Sequence, residues 1–386
     1  MFAAAASACL QWPLQLALGV AAPGPLFPGL AILGASFLLS WAAEAAELDV
    51  SHGVAIGGLA LVAVLPEYAV DMYFAWQAGK NPEYASFATA NMTGANRLLI
   101  GLGWAAVLLT AWLFHKRREI RLDAEVGLEL LALAAATIYA FALPFKGSLS
   151  LLDCAVFLTI FVFYAVRLAS AHAEEPELIG PAAALGALPA GRRRAAVAVL
   201  LVLAAGSIYL SAEPFAEGLI AAGRRFGLDE FLLVQWVAPL ASEAPEFIVA
   251  CMFAAKGRAG SGLRMLVASK VNQWTLLIGM IPAVYAASAR GLAPMPLDSR
   301  QAAEVLLTAA QSLLAVSILF DFRFSLKEAV LLAGLFAAQP FLPGARARMI
   351  FSAVYVALAL WIFATRSSWR GVLASLRREG ADRRAS

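Results

Sequence analysis

From its amino terminus the chain runs as long apolar segments divided by short polar breaks, and no charged side chain appears before Glu44. Such runs suit helices that cross a hydrocarbon layer about 30 Å thick. Five spans are predicted in the first half: Pro28 to Ala46, Gly53 to Ala78, Tyr84 to Phe114, Val126 to Leu143 and Leu149 to Leu168. A polar stretch rich in Pro, Ala and Gly, Ser170 to Arg194, separates them from five more: Ala195 to Leu210, Phe231 to Ala255, Leu266 to Ala287, Ala302 to Leu319 and Leu326 to Phe341. Met349 to Ala364 reads as an eleventh span, and Ala6 to Ala22 as an optional extra segment interrupted by Pro13. The pattern predicts an all-α polytopic membrane protein of about ten or eleven transmembrane helices. Its expected parts are an N-terminal hydrophobic segment (1–27), a first five-helix half (28–169), a linker (170–194), a second five-helix half (195–345) and an extra helix with a basic tail (346–386).

The two halves echo each other. Leu65-Pro66-Glu67-Tyr68-Ala69-Val70-Asp71 and Ser242-Glu243-Ala244-Pro245-Glu246 both set acids beside a proline inside an apolar run. Each is followed by the same tetrapeptide, Leu98-Leu99-Ile100-Gly101 and Leu276-Leu277-Ile278-Gly279. At a similar offset, Leu122-Asp123 through Leu152-Asp153 matches Leu297-Asp298 through Lys327-Glu328. Two copies with an odd number of spans enter the membrane in opposite senses, the inverted-repeat plan of many secondary transporters, with the site between repeats.

Composition fits this class: 62% of residues are hydrophobic and 14% charged, with a mean hydropathy of +0.77. The pI near 8.8 is no pointer to nucleic acid, because Lys and Arg gather in short loops and in the tail. Loops after odd-numbered spans carry the greater share of them, which predicts that those loops and the central linker are cytoplasmic; the expected location is a bacterial plasma membrane. Cys9, Cys154 and Cys251 lie in apolar stretches and suggest neither a disulfide framework nor a metal cluster. No phosphate-binding Gly-x-x-x-x-Gly-Lys-Ser/Thr loop, His-Glu-x-x-His or Gly-x-Ser-x-Gly occurs, so no cofactor and no enzymatic centre are expected.

The acids carry the chemistry. A carboxylate in hydrocarbon costs several kcal/mol unless a partner, cavity or ion compensates it. Glu67 and Asp71, four residues apart, and Glu243 and Glu246, three apart, can each share a helix face. Pro66 and Pro245 are expected to loosen the carbonyls of Val62 and Ala241 inside their helices. Carboxylates with loosened carbonyls form an all-oxygen setting for hard cations. Neutral donors follow on the next helices: Asn91, Thr93 and Asn96 in the first repeat, and Ser269, Asn272, Gln273 and Thr275 in the second.

At these residues the chain resembles the calcium/cation antiporter superfamily, whose repeats read Gly-Thr-Ser-Leu-Pro-Glu and then Gly-Asn-x-x-Gly-Ser-Asn. Ala241-Ser242-Glu243-Ala244-Pro245-Glu246 is similar to the first element and Asn91-Met92-Thr93-Gly94-Ala95-Asn96 to the second. The resemblance covers residues 28–345 and implies that Glu67, Glu246, Asn96 and Asn272 coordinate the ion, with cation antiport by alternating access. The chain departs from the pattern in Ala63-Val64-Leu65, where hydroxyl residues are usual, and in its extra acids Asp71 and Glu243. Two cations, Arg97 and Lys270, also stand at usually uncharged positions. Lys270 can neutralise an acid, take an ion's place, or snorkel outward.

The expected function is a sodium/calcium exchanger-like antiporter in the lipid bilayer, moving Na⁺, Ca²⁺ or H⁺-coupled cations. Sodium or potassium/proton exchange is the alternative, and a cation channel or an intramembrane enzyme stand behind it. The oligomeric state is not legible in the sequence.

Overall fold

With no water in hydrocarbon to pair a bare N–H or C=O, a spanning segment must satisfy its backbone internally, and apolar runs therefore become helices. In the computed structural model of the chain, residues 1–20, 24–50, 62, 64–169, 178–341 and 344–365 are described. Much of the expected span from Gly53, and the basic tail, lie outside them. Among the described residues eight helices are long and apolar enough to cross a membrane.

The chain gathers into two compact units, and each draws on both halves of the sequence. The first comprises Met1–Ala95, Ala165–Glu246 and Val284–Gly291. Its helices are α1 (Phe2–Ala17), α2 (Leu26–Ala46), α3 (Leu65–Ala78) and most of α4 (Tyr84–Leu98). Later in the chain come α8 (Ala190–Phe226) and the first two-thirds of α9 (Glu230–Ala255). The optional N-terminal segment is α1, pressed against α2 so closely that a Cβ on Gly34 would lie 2.5 Å from the Ala5 carbonyl oxygen. Ser207 Oγ donates to the Cys9 carbonyl at 2.6 Å, and Trp12 Nε1 to that of Leu210 at 3.2 Å, which ties α1 to α8.

Two sequence expectations change here. The span expected over Ala195 to Leu210 is a 37-residue helix, α8, that passes Pro214 and stops at Gly227 with φ +64°. Polar Glu217 does not end it, because the hydroxyls of Tyr73 and Tyr84 both donate to its Oε1 at 2.7 Å. Pro66 was expected inside a helix but sits in the first turn of α3, where a missing N–H has no partner to lose. Pro245, by contrast, is inside α9.

The second unit comprises Asn96–Tyr164, Phe247–Ala283 and Leu292–Ser386. It holds α5 (Ala105–His115), α6 (Gly127–Ala140), α7 (Leu151–Ala169, through Tyr164), α10 (Ala259–Asn272) and α11 (Ile278–Ala289, through Ala283). Completing it are α12 (Ser299–Leu319), α13 (Leu326–Ala338) and α14 (Ala345–Thr365). Two antiparallel ribbons join its loops: β1 (Glu119–Arg121) pairs with β4 (Arg323–Ser325), and β2 (Ser148–Leu149) with β3 (Met295–Pro296). The sequence match puts β1 opposite β3 and β2 opposite β4, so the pairing is reciprocal. The matched acids have matched duties as helix caps: Asp153 accepts from the Ser150 N–H at 2.6 Å, and Glu328 from that of Ser325 at 2.7 Å.

Candidate functional site

The sequence-predicted residues divide between the units. In the first, Glu67, Asp71 and Glu243 are 4%, 0% and 2% exposed, while Glu246 is half-buried. Asn91 and Thr93 are buried as well. The four-residue spacing on α3 puts Glu67 and Asp71 one turn apart on its buried side. Asn91 of α4 stands beside Asp71. The Thr93 hydroxyl donates to the Thr89 carbonyl at 2.7 Å, and its oxygen receives Gln235 Nε2 at 3.3 Å. Gln235 is 1% exposed and was not anticipated. Its signal was a lone amide in the apolar run of α9, two turns before the acids. Gly94 is what lets α4 and α9 meet, since a Cβ there would lie 1.8 Å from the Gln235 carbonyl oxygen.

In the second unit, Asn96, Arg97, Lys270, Asn272 and Thr275 are buried and Ser269 is half-buried. Helices α4 and α10 do not continue as regular α-helix. A π-helical turn, Leu99–Trp104, links α4 to α5, and another, Gln273–Leu277, links α10 to α11. Each overlaps its copy of Leu-Leu-Ile-Gly. A π turn shifts backbone partners by one residue, and two carbonyls just before the first turn are engaged from other helices. Lys270 Nζ donates to Asn96 O at 3.3 Å and to Asn96 Oδ1 at 2.5 Å, while Gln311 Nε2 donates to Arg97 O at 3.2 Å. Lys270 also lies over the Trp274 ring, 4.5 Å from its centroid. Of the three readings open to Lys270, outward snorkelling is not what the structure shows. The Thr275 hydroxyl is spent on the Val271 carbonyl at 2.6 Å.

Arg97 belongs to a buried network that the sequence did not reveal. Its guanidinium meets Glu304 Oε2 at 2.7 Å and donates to Gln339 Oε1 at 3.0 Å. The other Glu304 oxygen receives Arg348 Nε at 2.5 Å, and Gln339 Nε2 donates to the Tyr355 hydroxyl at 2.8 Å. The motif-position arginine is therefore balanced by an acid on α12. Among the described residues no group of three or more His, Cys, Asp or Glu side chains forms a preassembled metal centre.

This arrangement can be set beside known proteins. The family model for the sodium/calcium exchanger protein matches residues 25–169 and 196–342. A crystal structure of an H⁺/Ca²⁺ exchanger, CAX, is 48% identical over 98% of this chain and 97% of that one, with a TM-score of 0.92. Native YfkE has a TM-score of 0.64 at 16% identity, covering 92% of this chain and 99% of that one. The sodium-calcium exchanger NCX_Mj, soaked with 2.5 mM Na⁺ and 10 mM Sr²⁺, has 0.53 at 18%, covering 89% and 100%. The last two show a shared fold alone. No curated protein sequence matches the chain. A model that spans both halves, and reaches both pairs of acids, places the chain in the sodium/calcium exchanger family.

Proposed function

We propose that the chain is a secondary antiporter that exchanges Ca²⁺ for protons, with Glu67, Asp71, Glu243 and Glu246 as its carboxylates. The observation that carries the reading is the burial of Glu67, Asp71 and Glu243 inside one compact unit of a helical membrane chain. Calcium seeks several oxygens. Acids buried near one another resist simultaneous ionisation, so a proton and a cation compete for them, and that competition couples the two fluxes without nucleotide or cofactor. Asn91, beside Asp71, supplies a neutral oxygen or a donor according to which is bound. The second unit's helices carry neutral donors of their own, Ser269, Asn272 and Thr275, while the oxygens of Asn96 are engaged by Lys270. The 48% identity to an H⁺/Ca²⁺ exchanger supports calcium and protons. Sodium as the counter-ion is the second reading, supported by the family's own description.

The halves are proposed to enter the membrane in opposite senses, with the linker (170–194) cytoplasmic, as the loop charges favour, and the membrane is proposed to be a bacterial inner membrane. The test is labelled-calcium flux in proteoliposomes under an imposed pH gradient, then under a sodium gradient at equal pH. The pH gradient drives uptake, and Glu246→Gln and Glu67→Gln each abolish it while the protein stays monodisperse. Undiminished gradient-driven uptake in both variants overturns the assignment.

A further inference from the structure

Lys270 is the most costly side chain in the second unit to leave unexplained. It is 0% exposed, and a buried ammonium is retained only where partners repay its desolvation. An ammonium has three donors and no acceptor. Two point at oxygens of one residue, Asn96 Oδ1 and Asn96 O, and the charge rests on the face of Trp274. An amide oxygen and a main-chain carbonyl beside a helix irregularity are the ligands that a hard cation takes from a protein.

We propose that Lys270 is a tethered cation, whose ammonium holds on the Asn96 oxygens the place of a mobile monovalent ion and so denies the carrier sodium. The idea rests on the antiporter reading above and adds the residue that selects the coupling ion. A covalently held charge cannot be exchanged, so a sodium gradient has no purchase at these oxygens. Neighbouring Arg97 does not compete for them, because Glu304 and Gln339 take its guanidinium. Two further features fit the same role. The Gln273–Leu277 turn follows Lys270 directly and sets Trp274 under the ammonium. Asn96 itself is 0% exposed, so removing the ammonium takes a buried positive charge from its amide oxygen, and a small cation can restore it.

The experiment uses the full chain, purified and reconstituted, as wild type, Lys270→Ala, Lys270→Gln and the double variant Lys270→Ala/Asn96→Leu. Wild-type protein shows no saturable binding of labelled sodium, and sodium does not compete with labelled calcium. Both neutral variants gain saturable sodium binding, show a higher unfolding temperature in sodium than in choline, and exchange calcium under a sodium gradient. The double variant loses those gains. Glutamine keeps the chain length should alanine misfold. Saturable sodium binding by the wild type overturns the proposal, and that measurement needs no variant. So does a folded neutral variant that binds no more sodium than wild type, or a gain that survives in the double variant. Wild-type liposomes with no gradient-driven calcium flux would instead remove the antiporter reading itself, a failure distinct from sodium-blind variants of an active carrier.

Discussion

At the scale of single residues, burial turns ordinary side chains into commitments. Asp71 at 0% exposed and Glu243 at 2% are tolerable only if a proton, a cation or a hydrogen-bond donor meets them. Thr93 and Thr275 look alike in sequence as hydroxyl donors, yet each spends its proton on the turn before it, as hydroxyls in helices commonly do. Glycine 94 carries a harder constraint. An added methyl would fall 1.8 Å from a main-chain oxygen of α9, and backbone cannot rotate away as a side chain can. Gly94→Ala is expected to force α4 and α9 apart at a cost of about 1–3 kcal/mol. The check is thermal unfolding in detergent, where it should fall below Gly334→Ala, a position whose added Cβ meets nothing within 4 Å. Equal unfolding temperatures would show that the crossing is not tight.

At the scale of elements, the second unit is stitched by one charged network. Glu304 on α12 holds Arg97 and Arg348 at 2.7 and 2.5 Å, and Arg348 stands in the first turn of α14. Truncating one member of a buried ion pair strands the other and costs about 3–5 kcal/mol, whereas removing both can be nearly neutral. Glu304→Leu is therefore expected to destabilise strongly, because two guanidinium groups lose their acid at once. Arg97→Leu/Glu304→Leu should recover much of the loss. A double-mutant cycle read by denaturant unfolding checks this, and strictly additive losses would refute the coupling. The reciprocal ribbons and the paired caps at Ser150–Asp153 and Ser325–Glu328 make the same point for loops. The matched acids Asp153 and Glu328 hold helix starts.

At the scale of the whole molecule, pH acts on stability through a charge at a helix end. Asp49, in the turn after α2, is held well below the usual carboxylate range, first by the hydrogen bond from Arg193 and then by Arg194. A carboxyl depressed in the folded state stabilises above its unfolded pKa of about 3.9, and that contribution fades as pH falls below it. Asp49→Asn should therefore unfold at a lower temperature than wild type at pH 7, with the gap closing toward acid. A gap unchanged between pH 7 and the acid limit would mean that Asp49 stabilises by something other than its charge. This dependence is separate from the one proposed for calcium flux, which is expected to follow the acids of the candidate site and to be lost in Glu246→Gln without a comparable shift in unfolding temperature.

Hydropathy and repetition alone determined the class of this protein, most of its spans and its paired acids, while the family came from the resemblance of the residues around those acids to known motifs. They could do so because transfer into hydrocarbon is close to additive along a chain, so a run of Leu, Ala and Val declares itself wherever it lies. The partners of charges were settled only in three dimensions. Nothing local distinguishes Arg97, which α12 neutralises through Glu304, from Lys270, which rests on Asn96. Both stand at motif positions, and their partners lie more than a hundred residues away. The π turns at Leu99–Trp104 and Gln273–Leu277 also escaped the pattern, since an added residue in one turn leaves hydropathy unchanged while rotating every later face. The full length of α8 was hidden for a related reason: the apolar run stops at Leu210, and the partners that accommodate Glu217 beyond it, Tyr73 and Tyr84, lie far away in the chain. Local chemistry decides what enters the membrane, and only packing decides which buried charge finds which partner.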